Sequence, residues 1–236
     1  MSAAPDRIEV PFTMPSGCVL APPRTAMGDR PPLLVGLHGQ GQSGARHQRW
    51  LDGGVPDGFA SAFPDGFHAH EVRKPDHPIR LGYGWYLFTG DQDAFAESLA
   101  LAEEALFRVI DAAVDALDAD PSRVYLQGFS QGCYLTHCAA VRHGARVAGW
   151  IGCAGRLKDE FLGEHLPTVA GKPVLIQHGE DDRAIGPERA AHGVELLRAN
   201  GAEVRFERYA DTGHVITDAM RRDMRAWLAE REPAFA

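Results

Sequence analysis

Short β-rich runs alternate with longer helical patterns along nearly the whole chain, and this alternation restricts the fold more than any other feature of the sequence. Residues 33–37 (LLVGL), 59–63, 124–129 (VYLQGF), 147–153, 174–177 and 204–209 read as strands. Between and after them, helical patterns run at about 94–118, 131–143, 187–199 and 217–230. In the last of these, Ile216, Met220, Met224, Trp227 and Leu228 line one helix face. Asn200-Gly201 reads as the stop of the third. Apolar strands joined by helix-length connections belong in a mostly parallel sheet with helices on both faces. Upstream, residues 8–12 and 18–21 flank Pro15-Ser16-Gly17, which suggests an N-terminal antiparallel hairpin at the sheet edge. No linker, charge block or internal repeat divides the chain. A single α/β domain over residues 1–236 is expected, long enough to bury a core without disulfide or metal staples.

Charge and cysteine usage exclude several function classes. The formal net charge is −8, which argues against a nucleic-acid or anionic-membrane partner. Residues 91–120 carry nine carboxylates and one cation, Arg108, and read as the solvated face of a surface helix. Cys18, Cys133, Cys138 and Cys153 show no C-x-x-C pair and sit in apolar stretches, so buried free thiols are expected. The N-terminal residues lack a basic segment followed by an apolar run, and no stretch approaches 18 apolar residues. A cytoplasmic protein with no membrane insertion is the expectation. His68, His70 and His77 have no carboxylate set at a metal-binding spacing and read as loop polarity, so neither metal nor cofactor is expected.

The chemistry concentrates at Gly128-Phe129-Ser130-Gln131-Gly132. This pentapeptide follows an apolar strand directly and opens a helical pattern, the context of a nucleophile elbow. A tight strand-to-helix turn lifts a serine above the sheet in a strained conformation, and the flanking glycines admit close backbone approach. The serine Oγ then lies at the positive end of a helix, where a developing negative charge is favoured.

A serine hydroxyl needs a base, and the base needs an orienting acid. After an elbow of this kind the chain order is serine, acid, histidine. Only His192 and His214 come late enough, and His192 lies inside the helical run PERAAHGVELLRAN. That leaves His214, in the loop after the last strand. The acid belongs just past the preceding strand, in Gln177-His178-Gly179-Glu180-Asp181-Asp182. Side-chain chemistry alone leaves Asp181 and Asp182 about equal, with Asp211 a distant third. An oxyanion hole needs two donors. The Gln131 backbone N–H, directly after the serine, is one candidate. The loop His38-Gly39-Gln40-Gly41-Gln42 after the first parallel strand supplies the other, at Gln40.

Taken in order, H-G-x-G (38–41), G-F-S-Q-G (128–132), H-G-x-x-D (178–182) and G-H (213–214) resemble the α/β-hydrolase phospholipase/carboxylesterase family, which includes acyl-protein thioesterases and bacterial carboxylesterases. The resemblance runs from about residue 33 to residue 230. It implies an α/β-hydrolase fold, with Ser130 as nucleophile, Asp182 as acid and His214 as base. It also implies the amides of Gln40 and Gln131 as the oxyanion hole. Three features depart from it. Gln42 stands where members usually carry Asp, and Arg183-Ala184-Ile185-Gly186-Pro187 replaces the usual Val-Val-Pro type of continuation. The loop Phe63-Pro64-Asp65-Gly66 is more similar to those of feruloyl- and polyester-cleaving esterases.

The expected activity is hydrolysis of small-molecule carboxylic esters by a monomer or homodimer, with thioesterase or lysophospholipase action, or a feruloyl- or polyester-type esterase, as the alternative. A non-catalytic ligand-binding relative is disfavoured because no triad member is missing. In similar esterases a Gly-x-x-Trp segment lines the substrate pocket. Gly82-Tyr83-Gly84-Trp85 therefore reads either as a pocket wall or as aromatic core packing. Only residues 154–172 separate the strand after the elbow helix from the strand carrying the acid, too few for a cap domain. An uncapped site walled by Trp85, Tyr86, Ile185 and Val215 would favour short acyl chains, because a methylene contributes about 0.8 kcal/mol only when enclosed.

Overall fold

The computed structural model describes residues 15–236. Nine strands and six α-helices follow one another as β1 (Cys18–Ala21), β2 (Leu33–Leu37), α1 (Gly44–Trp50), β3 (Ala60–Pro64), β4 (His68–Val72), β5 (Arg80–Gly84), α2 (Gln92–Leu117), β6 (Val124–Phe129), α3 (Gln131–Arg142), β7 (Gly149–Cys153), α4 (Asp159–Leu162), β8 (Pro173–Gly179), α5 (Pro187–Ala199), β9 (Glu203–Tyr209) and α6 (Asp218–Arg231). Seven strands form one sheet in the order β1-β3-β2-β6-β7-β8-β9. All its pairings are parallel except β1 with β3.

Period-two alternation sends neighbouring residues of each inner strand into different cores. In β2, Leu33, Val35 and Leu37 join Leu99, Leu106 and Leu135 from α2 and α3 on one face. Leu34 joins Met220, Met224 and Trp227 of α6 on the other. Because both faces are covered, the strands read as unbroken apolar runs. The apolar stripe expected on the last helix is buried throughout, and Thr217 caps that helix by accepting from the Met220 amide at 3.3 Å. The expected stop at Asn200-Gly201 is present, with Gly201 at φ +82°.

Cys18–Ala21 is the expected antiparallel edge strand and pairs with β3; the proposed first arm, residues 8–12, lies outside the described residues. Other local features differ from the sequence reading. His68 and His70 belong to β4, which pairs antiparallel with β5 in a separate two-stranded sheet, rather than to a loop. Helix α1 was not legible: it has seven residues, too few to show an amphipathic period. Finally, Glu103 does not belong to the solvated acidic face. It is 2% exposed, and its carboxylate takes a 2.8 Å hydrogen bond from Arg142 and lies 3.3 Å from His143 Nε2. Burial drives its pKa up to about 7, and the Arg142 charge only partly opposes that.

Between β7 and β8, the connection forms α4 and a 3-10 stretch, Gly163–Val169. It buries Leu157, Leu162, Leu166 and Val169 in the core instead of rising over the sheet as a cap.

Candidate active site

The C-terminal ends of the parallel strands converge at Ser130, between β6 and α3. Ser130 has φ +54° and ψ −116°, a conformation that costs a non-glycine residue of order 1–3 kcal/mol. Its amide donates to the Cys153 carbonyl at 3.0 Å, tying the turn to the end of β7. The flanking glycines are sterically required. A Cβ on Gly128 would lie 2.3 Å from Thr136 Oγ1, and one on Gly132 would lie 2.3 Å from the Leu37 carbonyl.

Ser130 Oγ is 2.9 Å from His214 Nε2, and His214 Nδ1 is 2.8 Å from Asp182 Oδ2. A carboxylate only accepts, so the Nδ1–H donates to it and Nε2 is left to accept from the serine hydroxyl. The other carboxylate oxygen of Asp182 accepts from the amides of Ala184 and Ile185, each at 2.9 Å. Burial alone would raise the Asp182 carboxyl. The Ile185 amide, the His214 contact and the Ala184 amide together outweigh it and hold the group below the ordinary carboxylate range. Neither Asp181 nor Asp211 contacts His214. His178 is fully buried, and its Nε2–H donates to the Ile185 carbonyl at 2.8 Å, which closes the loop that carries Asp182. His192 is exposed on α5, with its Nε2 3.4 Å from Asp159.

The loop after β2 sits beside the serine. Neither the Gln40 nor the Gln131 backbone N–H is taken up by an acceptor among the described residues, and both residues share a cleft with Ser130. Two side chains hold this loop. The amide of Gly66 donates to His38 Nε2 at 2.9 Å, so His38 carries its proton on Nδ1 and donates to the Gly39 carbonyl at 2.8 Å. Burial lowers the His38 pKa to about 4, which keeps this tautomer neutral. Trp85 Nε1 donates to the His38 carbonyl at 2.7 Å.

Trp85 is fully buried against His38 and Phe67, so of its two readings the structure shows the packed one. Tyr86 does line the cleft, whereas Ile185 and Val215 do not. The Gln131 side chain clamps this aromatic segment to the elbow, accepting from the Trp85 amide at 3.0 Å and donating to the Tyr86 carbonyl at 3.1 Å. The cleft encloses about 440 Å³. Sequence reasoning missed most of its wall, to which Phe88, Phe95, Tyr134, Arg156, Lys158 and Arg189 contribute. These residues come from separate helices and loops and share no spacing that a motif could carry.

Residues 29–231 match the phospholipase/carboxylesterase family. The chain belongs to that family. Among its relatives, a probable carboxylesterase SOBER1-like protein of Arabidopsis thaliana is 25% identical over 229 residues, covering 84% of this chain and 78% of that protein. Acyl-protein thioesterase 1 of Gibberella zeae is 27% identical over 176 residues, covering 67% and 74%. The structure of the Bacillus cereus carboxylesterase superposes with a TM-score of 0.70 at 18% identity, covering 93% of this chain and 95% of that one, and shows the shared α/β-hydrolase fold. This member of the phospholipase/carboxylesterase family is a carboxylic ester hydrolase. None of the described helices is long and apolar enough to cross a membrane.

Proposed function

We propose that the protein is a serine esterase that cleaves short-chain carboxylic esters through an acyl-enzyme, with Ser130, His214 and Asp182 as its triad. The observation that carries this reading is the unbroken relay from Ser130 Oγ to His214 Nε2 and from His214 Nδ1 to Asp182. His214 takes the hydroxyl proton as Ser130 attacks the ester carbonyl, and the tetrahedral oxyanion forms toward the amides of Gln40 and Gln131. His214 then passes the proton to the leaving alcohol. A water, deprotonated in turn by His214, releases the acid and restores the serine.

The short-chain preference is supported by the cleft, whose wall includes the cations of Arg156, Lys158 and Arg189 besides its aromatic rings. Lengthening the acyl chain would drive methylenes against charged groups, so it gains little burial energy. A fluorophosphonate probe should label the wild type and spare Ser130→Ala, and kcat/KM for 4-nitrophenyl esters should peak between C2 and C6. A steady climb to C16 would refute the chain-length part and favour a lysophospholipase. Thioester cleavage uses the same machinery, and the Gibberella zeae relative is named an acyl-protein thioesterase. A matched ester and thioester pair separates these two substrates.

A further inference from the structure

The protein is strongly acidic, yet no carboxylate lines the cleft beside Ser130, whereas three cations do. Their surroundings differ. Arg156 makes a two-pronged pair with Glu160, at 3.0 and 2.6 Å, and lies 3.7 Å from Asp159. The Lys158 ammonium shares the same Glu160 at 3.4 Å. It is held over the rings of Phe95, Phe88 and Phe161 at 5.1, 5.7 and 5.7 Å, where aromatic faces offset part of its desolvation. Arg189 has no carboxylate within ion-pair distance and no hydrogen-bond acceptor among the described residues, although Glu188 is its neighbour in the chain. One glutamate thus serves two of the cations, and the third is unpaired.

Nor does the local fold favour a cation at Arg189. It is the third residue of α5, whose N-terminal end carries the positive pole of the helix and has no side-chain cap. A cation there is disfavoured. Arg189 is exposed and lines the same cleft as Ser130, so its guanidinium is free to take an anion from a bound molecule.

The geometry also tells which half of the ester enters. The leaving alcohol must receive its proton from His214 Nε2, so it departs on the His214 side. His214 Nε2 lies 2.9 Å from Ser130 Oγ, while Gln131 and Tyr86 line the cleft that Ser130 opens into. The acyl group, the part that stays on the serine, would occupy this cleft.

Resting on the esterase reading above, we propose that the acyl group of the preferred substrate ends in a carboxylate, making the substrate a half-ester of a short dicarboxylic acid. Arg189 binds that carboxylate through its planar fork, with Lys158 adding charge beside it. Tyr86, Phe95 and Tyr134 enclose the intervening methylenes. The match is geometric, since a guanidinium presents two parallel N–H donors to the two oxygens of one carboxylate.

The test compares the mono-4-nitrophenyl ester of adipic acid with 4-nitrophenyl hexanoate, two acyl groups of equal length that differ in the terminal anion. Wild type should favour the adipate ester by about tenfold or more in kcat/KM, mostly through KM, because the contact is remote from the reacting carbon. Arg189→Gln should bring that ratio to about one, and Arg189→Glu should invert it. Arg108→Gln changes net charge by the same amount on the exposed side of α2 and should leave the ratio alone. Turnover of hexanoate with no adipate preference overturns the carboxylate site while the esterase reading stands. An adipate preference that Arg108→Gln reduces as much as Arg189→Gln does also overturns it, by assigning the effect to the overall field. If neither ester is turned over and a fluorophosphonate fails to label Ser130, the esterase reading falls, and this inference with it.

Discussion

Replacing Asp182 by Asn should lower kcat/KM by 10³- to 10⁴-fold while leaving the fold intact, and the structure dictates why. Asp182 Oδ1 accepts from the amides of Ala184 and Ile185, both at 2.9 Å, so the carbonyl oxygen of an asparagine must stay with those two donors. Its NH₂ group then faces His214 Nδ1, which lies 2.8 Å from the other oxygen in the wild type. Two donors cannot face each other, so His214 must move its proton to Nε2. That nitrogen, 2.9 Å from Ser130 Oγ, can then no longer accept the hydroxyl proton. A tautomer reversal of this kind in a Ser-His-Asp triad costs roughly 10⁴-fold in kcat, about 5.4 kcal/mol of transition-state stabilisation. The assay is steady-state hydrolysis of 4-nitrophenyl butyrate alongside the rate of fluorophosphonate labelling, and both should fall together. Asp181→Asn and Asp211→Asn should each stay within about threefold of wild type, because neither carboxylate touches the imidazole. Retention of more than a tenth of the activity by Asp182→Asn, with a collapse in either neighbour, would refute the assignment.

Two further outcomes follow from ionisation. Asp182, held below its ordinary range, should add no inflection to the pH profile of kcat/KM above about pH 4, so a loss of activity that Asp182→Asn shifts above that pH would contradict the relay. Glu103 has a folded-state pKa of about 7, above its unfolded value, so between about pH 4.5 and 7 the native state holds the extra proton and stability falls as pH rises. Removing that group in Glu103→Gln should take away a stability loss on the order of 2–3 kcal/mol across that window, roughly 5–10 °C in Tm. Thermal melts of the variant and the wild type at pH 5 and pH 7.5 check this, and equal pH slopes for the two would contradict it.

Much of the fold was legible because the signals that encode it are local and periodic. Apolar strands, one-faced helices, a glycine-bracketed serine between a strand and a helix, and a histidine in the loop after the last strand can all be read in order along the chain. Asp181 and Asp182 mark where that ended. Two adjacent carboxylates have the same chemistry, and only the turn through Ala184 and Ile185 decides which one faces His214. Trp85 and Glu103 are similar cases. An aromatic and a carboxylate each sit in a sequence context suited to a surface or a wall, yet packing places one under the loop after β2 and the other beside Arg142. The cleft was the least legible part. Its aromatic rings and cations are contributed by α2, α3, α5 and the loops after β5 and β7, separated in the chain by up to a hundred residues. The sequence by itself thus determined the sheet, the elbow and the order of the reacting groups, since each depends on neighbours within a few residues. Which side chains line the cleft was decided only when the parallel strands brought distant loops to one edge of the sheet.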